Sequence, residues 1–452
     1  MIVLKFGGTS VADADAIDRA ASITVSRAAR APGVVVSALA GTTNELLALA
    51  EQAARGQLIV ALSAVEEVRA RHLRETDALL GASAARETGA ELSAMCDELA
   101  HLAEALSVLG DLTPRSLDAI AAYGELLSAT VVHAAFRARG IAVELLDARD
   151  VIATDDRHTH AAPRLEALSR QARERVLPVV KAGRLPLLGG FIGRSPQGVT
   201  TTIGRGGGDY TAALLGAALG VDAIEIWTDV DGMLTADPRV VREARLIEEI
   251  RFDEAAELAA FGAKVLHPST IAPAVQRGIP VFVLNSRRPE GKGTRITAEA
   301  PRRAVTAIAG RPGVTVVKIR SPRMLFAHGV MRTIFEVFER HRTAVDVVAT
   351  SEVSVSLTTD EGAHLDDVMV ELRALGDVAV ERSRAIVAVV GAGLTDSAAT
   401  MARALAALGS IAVHMISLSA TGINLTLIVD AAALEPAIRA LHAEFFGVKA
   451  AA

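Results

Sequence analysis

Cysteine is all but missing from the 452 residues. Cys96 stands alone, so no disulfide can close within the chain, and a reducing compartment is the expectation. A small apolar residue buried on a helix is the plain reading of Cys96. Aromatic residues reach only 3%, so the cores have to be built from Ala, Val, Leu and Ile. Basic charge is not in excess: a formal net charge of -6 leaves no field to neutralise nucleic-acid phosphates, and a nucleic-acid partner is not expected. Uninterrupted apolar runs fall short of the ~18 to 20 residues that a membrane-spanning helix needs, so no membrane role is expected. The opening MIVLKF lacks the long apolar centre of a secretory signal and reads as the first strand of a cytoplasmic protein.

What is present argues for a folded chain of two or three globular units, with 51% hydrophobic and 22% charged residues. Short β-branched or leucine-rich runs bounded by Gly, Pro or Asp fall at residues 2–6, 33–37, 141–146, 185–191, 223–227 and 280–284 and read as buried strands. Helical patterns lie between them, the clearest at Leu92, Met95, Leu99, Leu102 and Leu106, whose spacings of three and four share one face. Such alternation predicts an α/β domain with a mainly parallel sheet, whose ligands gather beyond the carboxyl ends of the strands. The polar EAPRR connection at 299–303 follows this domain, which is placed at 1–295. Beyond it a strand, helix, strand, strand, helix pattern occurs twice, over 305–383 and 384–452. Units so small are expected to pack on each other or on a second subunit.

Four segments carry chemistry. KFGGTS at 5–10 is a strand ending in a lysine-bearing glycine turn; glycines let backbone N–H groups approach phosphate oxygens, and Lys5 would neutralise charge on a phosphoryl group. A tight turn with an incidental lysine is the alternative, and the Walker A spacing is absent. TTIGRGGGDYT at 201–211 exposes backbone donors beside Arg205, a fork suited to a carboxylate or phosphate. WTDVDG at 227–232, with Asp237 and Arg239 after it, closes a strand where nucleotide sites form. FGAKVLHP at 261–268 supplies Lys264, for which a plain surface lysine is an equal reading. Two other features read as structural: GAGLTD at 391–396 lacks the third glycine of a dinucleotide fingerprint, and His158 and His160 read as solvated loop residues without zinc-ligand spacing.

Together and in this order, these segments resemble the aspartate kinases of the amino-acid kinase superfamily, over the whole chain. The resemblance implies a mainly parallel sheet sandwiched by helices, followed by two ferredoxin-like βαββαβ ACT units. The second unit would be inserted into the first, with the C-terminus returning to complete the first sheet. It implies transfer of the ATP γ-phosphoryl group, with Mg²⁺ and no dedicated protein metal site, to L-aspartate, the first step of the aspartate-derived amino-acid pathway. Lys5, Arg205 and Asp209 would be the catalytic set, and Ser37, Thr43, Glu125 and Arg205 would hold the substrate. Lys5, Gly7, Gly8, Thr228, Asp229, Leu234, Arg239, Lys264 and Val265 would hold ATP. Gly208 stands where many relatives have serine, removing a hydroxyl from the substrate loop, and Leu234 where close relatives often have tyrosine.

The implied chemistry suits the residues. A carboxylate with a pKa near ~3.9 is already ionised at neutral pH, so the obstacle is repulsion between two anions rather than lack of a base. Glu125 would face the substrate ammonium and Arg205 its α-carboxylate. In the tail, TSEVSVSL at 350–357 resembles that of relatives controlled by lysine or threonine. Met324, Gly329, Val345, Asp346, Ser351 and Glu352 would surround an amino-acid effector, L-lysine with threonine as the alternative, in a homodimer formed through the ACT units. Phe326, Val330 and Ala344 depart from lysine-sensitive relatives, and a tail serving assembly alone is the other reading. Glutamate and uridylate kinases share the fold but lack the TSEVSVSL tail and the Gly124-Glu125 pair; a non-catalytic amino-acid sensor would have no use for Lys5, Arg205, Asp209 and Lys264.

Overall fold

The computed structural model describes residues 1–204, 206–261, 266, 268–321, 328–360 and 365–447. They form two compact units, Met1–Met233 with Val265–Ala298, and Leu234–Lys264 with Glu299–Ala452.

In the first unit the chain runs β1 (Ile2–Phe6), α1 (Ala14–Ser26), β2 (Pro32–Val36), α2 (Thr42–Ala54), α3 (Leu58–Leu79), α4 (Ala82–Leu109) and α5 (Pro114–Ala138). It continues through β3 (Val143–Leu145), α6 (Leu165–Lys181), β4 (Leu185–Gly189), β5 (Ile192–Arg194), β6 (Thr200–Thr202), α7 (Gly207–Leu219) and β7 (Ala223–Thr228). The sheet order is β3, β4, β2, β1, β7, followed by strands Val281–Asn285 and Thr294–Ile296. Among these seven strands each neighbouring pair is parallel except the last. Every residue of β1, β2 and β4 is buried, as befits strands covered on both faces, and this is why they read as unbroken apolar runs. Lys5 pairs with Val35 on one side and Ile226 on the other. The ends of β1, β2 and β7 are therefore level, and the direction in which the chain adds strands reverses at β1, the place where open α/β sheets bind ligands.

Helix α5 differs from the expectation that no segment is long and apolar enough to cross a membrane: by length and composition it is, but 78% of that stretch is buried inside the unit. It is apolar because it is a core helix walled by its neighbours, with Ile120, Leu127, Val131, Val132 and Phe136 in the main core. Thr113 caps it, accepting the Ser116 N–H at 3.1 Å, and Pro114 fills the first turn, where its missing N–H costs nothing. Cys96 is buried in the same core, and burial pushes its thiol up to about 11, which leaves it unreactive at neutral pH.

The second unit carries a six-stranded antiparallel sheet in the order Val348–Thr350, Ser354–Asp360, Ala307–Arg320, Asp377–Val390, Asn424–Asp430, Val413–Leu418. Helices Val330–Arg340, Leu365–Leu372, Ala398–Ala407 and Leu434–Phe446 accompany it. Its two long central strands are shared by both repeats. Residues 314–320 of one pair with 354–360 and with 377–384, while residues 307–311 pair with 386–390 of the other. The start of the tail thus joins the second repeat's strands and the first repeat lies nested between, the reverse of the expected insertion. The extreme C-terminus, expected to complete the first sheet, lies outside the described residues, and the last described element is a helix.

Candidate active site

The site is built where β1, β2 and α7 end or begin. Lys5 is the penultimate residue of β1, only 8% exposed, and its Nζ lies 2.7 Å from Asp209 Oδ1 in the first turn of α7. Gly206 caps α7 and Gly41 caps α2, both with positive φ, at 75° and 91°. Only glycine takes that backbone without strain, and it frees the N–H groups of two helix starts toward one place. Lys5, Gly8, Ser37, Thr43, Glu125, Gly208 and Asp209 line one cavity of about 360 Å³.

The approach of α7 to β1 and β2 is close at Gly208. A Cβ there would lie 2.9 Å from Ser37 Oγ and 3.0 Å from Lys5 Cε. The consequence of glycine at 208 is therefore room for Lys5 and Ser37 as well as a missing hydroxyl. Gly208→Ala should push Lys5 off Asp209 and lower kcat roughly 10²-fold, the scale of an ångström of misplacement, and the melting temperature should fall with the broken pair. Wild-type kinetics in that variant would show that the two side chains simply yield.

Glu125 projects from α5 into the same cavity and is 4% exposed. Its Oε1 accepts the Ala38 N–H at 3.3 Å, while Oε2 is buried with no hydrogen-bond partner. Burial pushes this carboxyl up to about 8, against the weaker pull of backbone N–H groups and the Lys5 charge. An orphaned carboxylate oxygen facing a cavity is the natural partner of a ligand cation.

Around these groups stand Asn285, Ser286 and Arg288, which lie outside the four motifs. Ser10 Oγ donates to the Trp227 carbonyl at 3.1 Å and meets Ser286 Oγ at 2.8 Å, and Ser286 Oγ donates to the Thr228 carbonyl at 3.1 Å. This lashes the end of β1 to the end of β7, as the Gly7 N–H does by donating to the Trp227 carbonyl. Asn285 and Arg288 hold Asp231 of the WTDVDG segment, at 2.6 Å each. Thr228 and Asp229 close β7, with Thr228 Oγ1 donating to Asp229 at 3.2 Å.

Comparison with known proteins fits this arrangement. The amino acid kinase family matches residues 1–285, and an ACT domain matches residues 387–445. The chain is 38% identical to lysine-sensitive aspartokinase 3 of Escherichia coli over 99% of both chains, and 35% identical to aspartokinase 1, chloroplastic, of Arabidopsis thaliana over 98% of this chain and 80% of that one. This chain belongs to the aspartokinase family. Crystal structures of E. coli aspartokinase III, one in complex with lysine and aspartate and one with aspartate and ADP, superpose with TM-scores of 0.85 and 0.84 over 99% of this chain. The fold is accordingly the amino-acid kinase fold followed by ACT domains.

Against that family's expected contacts, the cavity brings together Lys5, Gly8, Ser37, Thr43, Glu125 and Asp209, with Gly7 beside the Lys5 amine. Arg205, Lys264, Val265 and Met324 lie outside the described residues, as does Phe326. Leu234 and Arg239 belong to the second unit. There Leu234 bridges to Leu246, and Arg239, 87% exposed, is held by Asp237 at 2.6 Å. Among the residues expected around an effector, Gly329 caps helix Val330–Arg340 with φ of 83°, Val345 packs against the core, and Ser351 and Glu352 are exposed in a turn closed by the Ser351 N–H donating to the Ser354 carbonyl. Asp346 is not free: its carboxylate is ion-paired with Arg311, which also reaches Asp360 at 3.5 Å.

One expectation is overturned here. His158 is not a solvated loop residue; its Nδ1 sits 2.7 Å from Oδ2 of the buried Asp118. Only His160 is exposed. The pairing is not written in the local sequence, because Asp118 is 40 residues away; its position seven before Glu125 on one helix is the signal that points to it.

Proposed function

We propose that this chain transfers the γ-phosphoryl group of ATP to the side-chain carboxylate of L-aspartate, giving ADP and 4-phospho-L-aspartate, in the cytoplasm, as the first step toward aspartate-derived amino acids. The observation that carries this is a single cavity holding a buried cation at one wall and a buried, half-partnered carboxylate at another: Lys5 for the phosphoryl oxygens and Glu125 for the substrate ammonium. An oxygen of the substrate carboxylate attacks the γ-phosphorus, a new P–O bond forms, and the bond to the β-phosphate oxygen breaks as ADP leaves. No base is needed, because the nucleophile is ionised; the work is positioning and neutralisation by Lys5 and the N–H groups of the two helix starts. Asp209 holds Lys5 in place. Thr228 and Asp229, just beyond the level of Lys5 on the neighbouring strand, where Ile226 is its partner, are the residues of this unit that suit the nucleotide.

Mg²⁺ fits as a passenger of the nucleotide. It keeps most of its waters and asks of a protein only one or two carboxylates, and Asp229 at the carboxyl end of β7 is what this chain offers. When bound, it neutralises phosphate charge.

The tail carries an amino-acid sensor for L-lysine. Lysine has two cationic groups for Asp346 and Glu352, whereas threonine has one; the E. coli relative is named lysine-sensitive. The Arg311 pair means that lysine has to displace an internal cation to reach Asp346. The terminal strand Val413–Leu418 of the six-stranded sheet exposes Ile416 and Leu418, which supports pairing with a second copy in a homodimer.

An assay of ADP formation with Mg²⁺ tests the whole reading. Turnover should require L-aspartate, and millimolar L-lysine should lower it roughly five- to 150-fold, the range of ordinary allosteric coupling. Asp346→Ala should relieve that inhibition and leave uninhibited turnover alone. ADP formation indifferent to aspartate overturns the activity; inhibition by threonine instead of lysine overturns the effector.

A further inference from the structure

We infer that Asp118 is a positioning residue for phosphoryl transfer, the anchor that fixes the glycine loop of Asp209 against the helix of Glu125; this rests on the reaction proposed above. Asp118 lies on α5, two helical turns before Glu125 and so on nearly the same face. It is 1% exposed, and no lysine or arginine pairs with it among the described residues. Such a carboxylate is costly to bury unless its oxygens are well supplied with donors, and here they are. The Thr159 N–H reaches both oxygens at 3.0 and 3.1 Å, Thr202 Oγ1 donates to Oδ1 at 2.6 Å, and His158 Nδ1 lies 2.7 Å from Oδ2.

Those donors come from two segments that build the substrate loop. Thr202 ends β6, seven residues before Asp209. Thr159 and His158 sit on the loop over β6, where the Ala161 N–H donates to the Thr202 carbonyl at 2.9 Å. Thr159 holds φ at 69°, a left-handed conformation that a β-branched residue resists and that the Asp118 bond helps to impose. Next along the loop, the ring of His160 would be 3.2 Å from a Cβ at Gly204, and the Gly207 N–H donates back to the Gly204 carbonyl at 3.1 Å. Glu125 is thus held by α5 itself, while Asp209, and through it Lys5, is held by a loop that α5 grips at Asp118. Asp118 shares this grip with the Ile203 N–H, which donates to the Phe191 carbonyl at 3.0 Å, and with the Thr154–Thr201 hydroxyl pair at 2.7 Å, and as a direct tie from the helix of Glu125 to the loop it helps set the separation of the ammonium group's partner from the phosphoryl group's partner.

The test uses the full-length chain and three variants. Asp118→Asn should raise the KM for aspartate and lower kcat, each roughly tenfold or more, while the KM for ATP stays within about twofold. Thr202→Val, which keeps the shape and removes one donor, should move the same two constants in the same direction by less. His158→Asn, whose amide nitrogen takes the place of Nδ1 and keeps a donor for Asp118, should stay near wild type. If Asp118→Asn does not fold, Thr202→Val carries the test alone. Wild-type KM and kcat in a folded Asp118→Asn protein, equal losses for both substrates, or an effect on melting temperature only, each overturns the inference. The wild-type arm is separate: a wild-type chain that forms no aspartate-dependent ADP overturns the proposed reaction, whatever the variants do.

Discussion

Lys5→Met is expected to lower kcat by about 10³-fold or more in a protein that still folds, on the scale of removing a preorganised charge from a phosphoryl-transfer site. Methionine keeps the stem that lies along β1 and removes only the ammonium. The loss falls on turnover because that charge is aimed into the cavity and at Asp209, not into the core. It also leaves the Asp209 carboxylate without its cation in a largely dry place, so the melting temperature should fall. In Lys5→Met/Asp209→Asn the melting temperature should recover and turnover should not, since the two residues act as one unit. Steady-state ADP formation and thermal melting on the same preparations decide it. Turnover of Lys5→Met within tenfold of wild type removes Lys5 from the reaction.

Glu125→Gln is expected to raise the KM for aspartate roughly ten- to a hundredfold, the worth of one charged hydrogen bond, and to leave the KM for ATP nearly unchanged. The pH profile makes this sharper. Burial holds the Glu125 carboxyl at about 8, so near neutrality the empty site carries it largely protonated, and binding an ammonium group expels that proton. In the wild type the KM for aspartate should fall as pH rises from about 6 to about 8, by up to about tenfold per unit, and level off above. The glutamine variant should show no such slope. Stability has its own sign: because the folded value lies above the ordinary 4.5, this group's contribution is full below that value and is lost as pH climbs toward 8. Melting temperatures of wild type and variant should therefore draw apart over that window, with the wild type losing ground as pH rises. A flat wild-type KM profile would place the substrate ammonium elsewhere.

Much of the frame was legible before any coordinates. The runs at 2–6, 33–37, 185–191 and 223–227 became β1, β2, β4 and β7 because strands buried on both faces have no polar alternation to obscure them. The glycines at 7, 8, 206 and 208 flagged backbone approach, and the cavity lies among them. Other features were hidden for physical reasons. Helix α5 is interrupted by His133 and Glu125 when scanned as an uninterrupted run, yet its average is apolar because most of its apolar stretch is buried. His158 sits in a polar stretch that looks solvated, and only folding brings Asp118 across 40 residues to meet it. Arg311 and Asp346 are 35 residues apart and pair because Arg311 lies on a strand shared by both repeats.

The sequence by itself determined which groups end at the carboxyl edge of the sheet. A lysine one residue before the end of a buried strand, and glycines wherever backbone must bend or approach, are written locally and need no distant partner to be read. Tertiary structure alone decided the state of those groups. It set Lys5 on Asp209, Arg311 on Asp346, left one oxygen of Glu125 without a donor, and raised its carboxyl to about 8. Charge state follows from desolvation and from neighbours a few ångströms away, and both are supplied by segments tens to hundreds of residues distant along the chain.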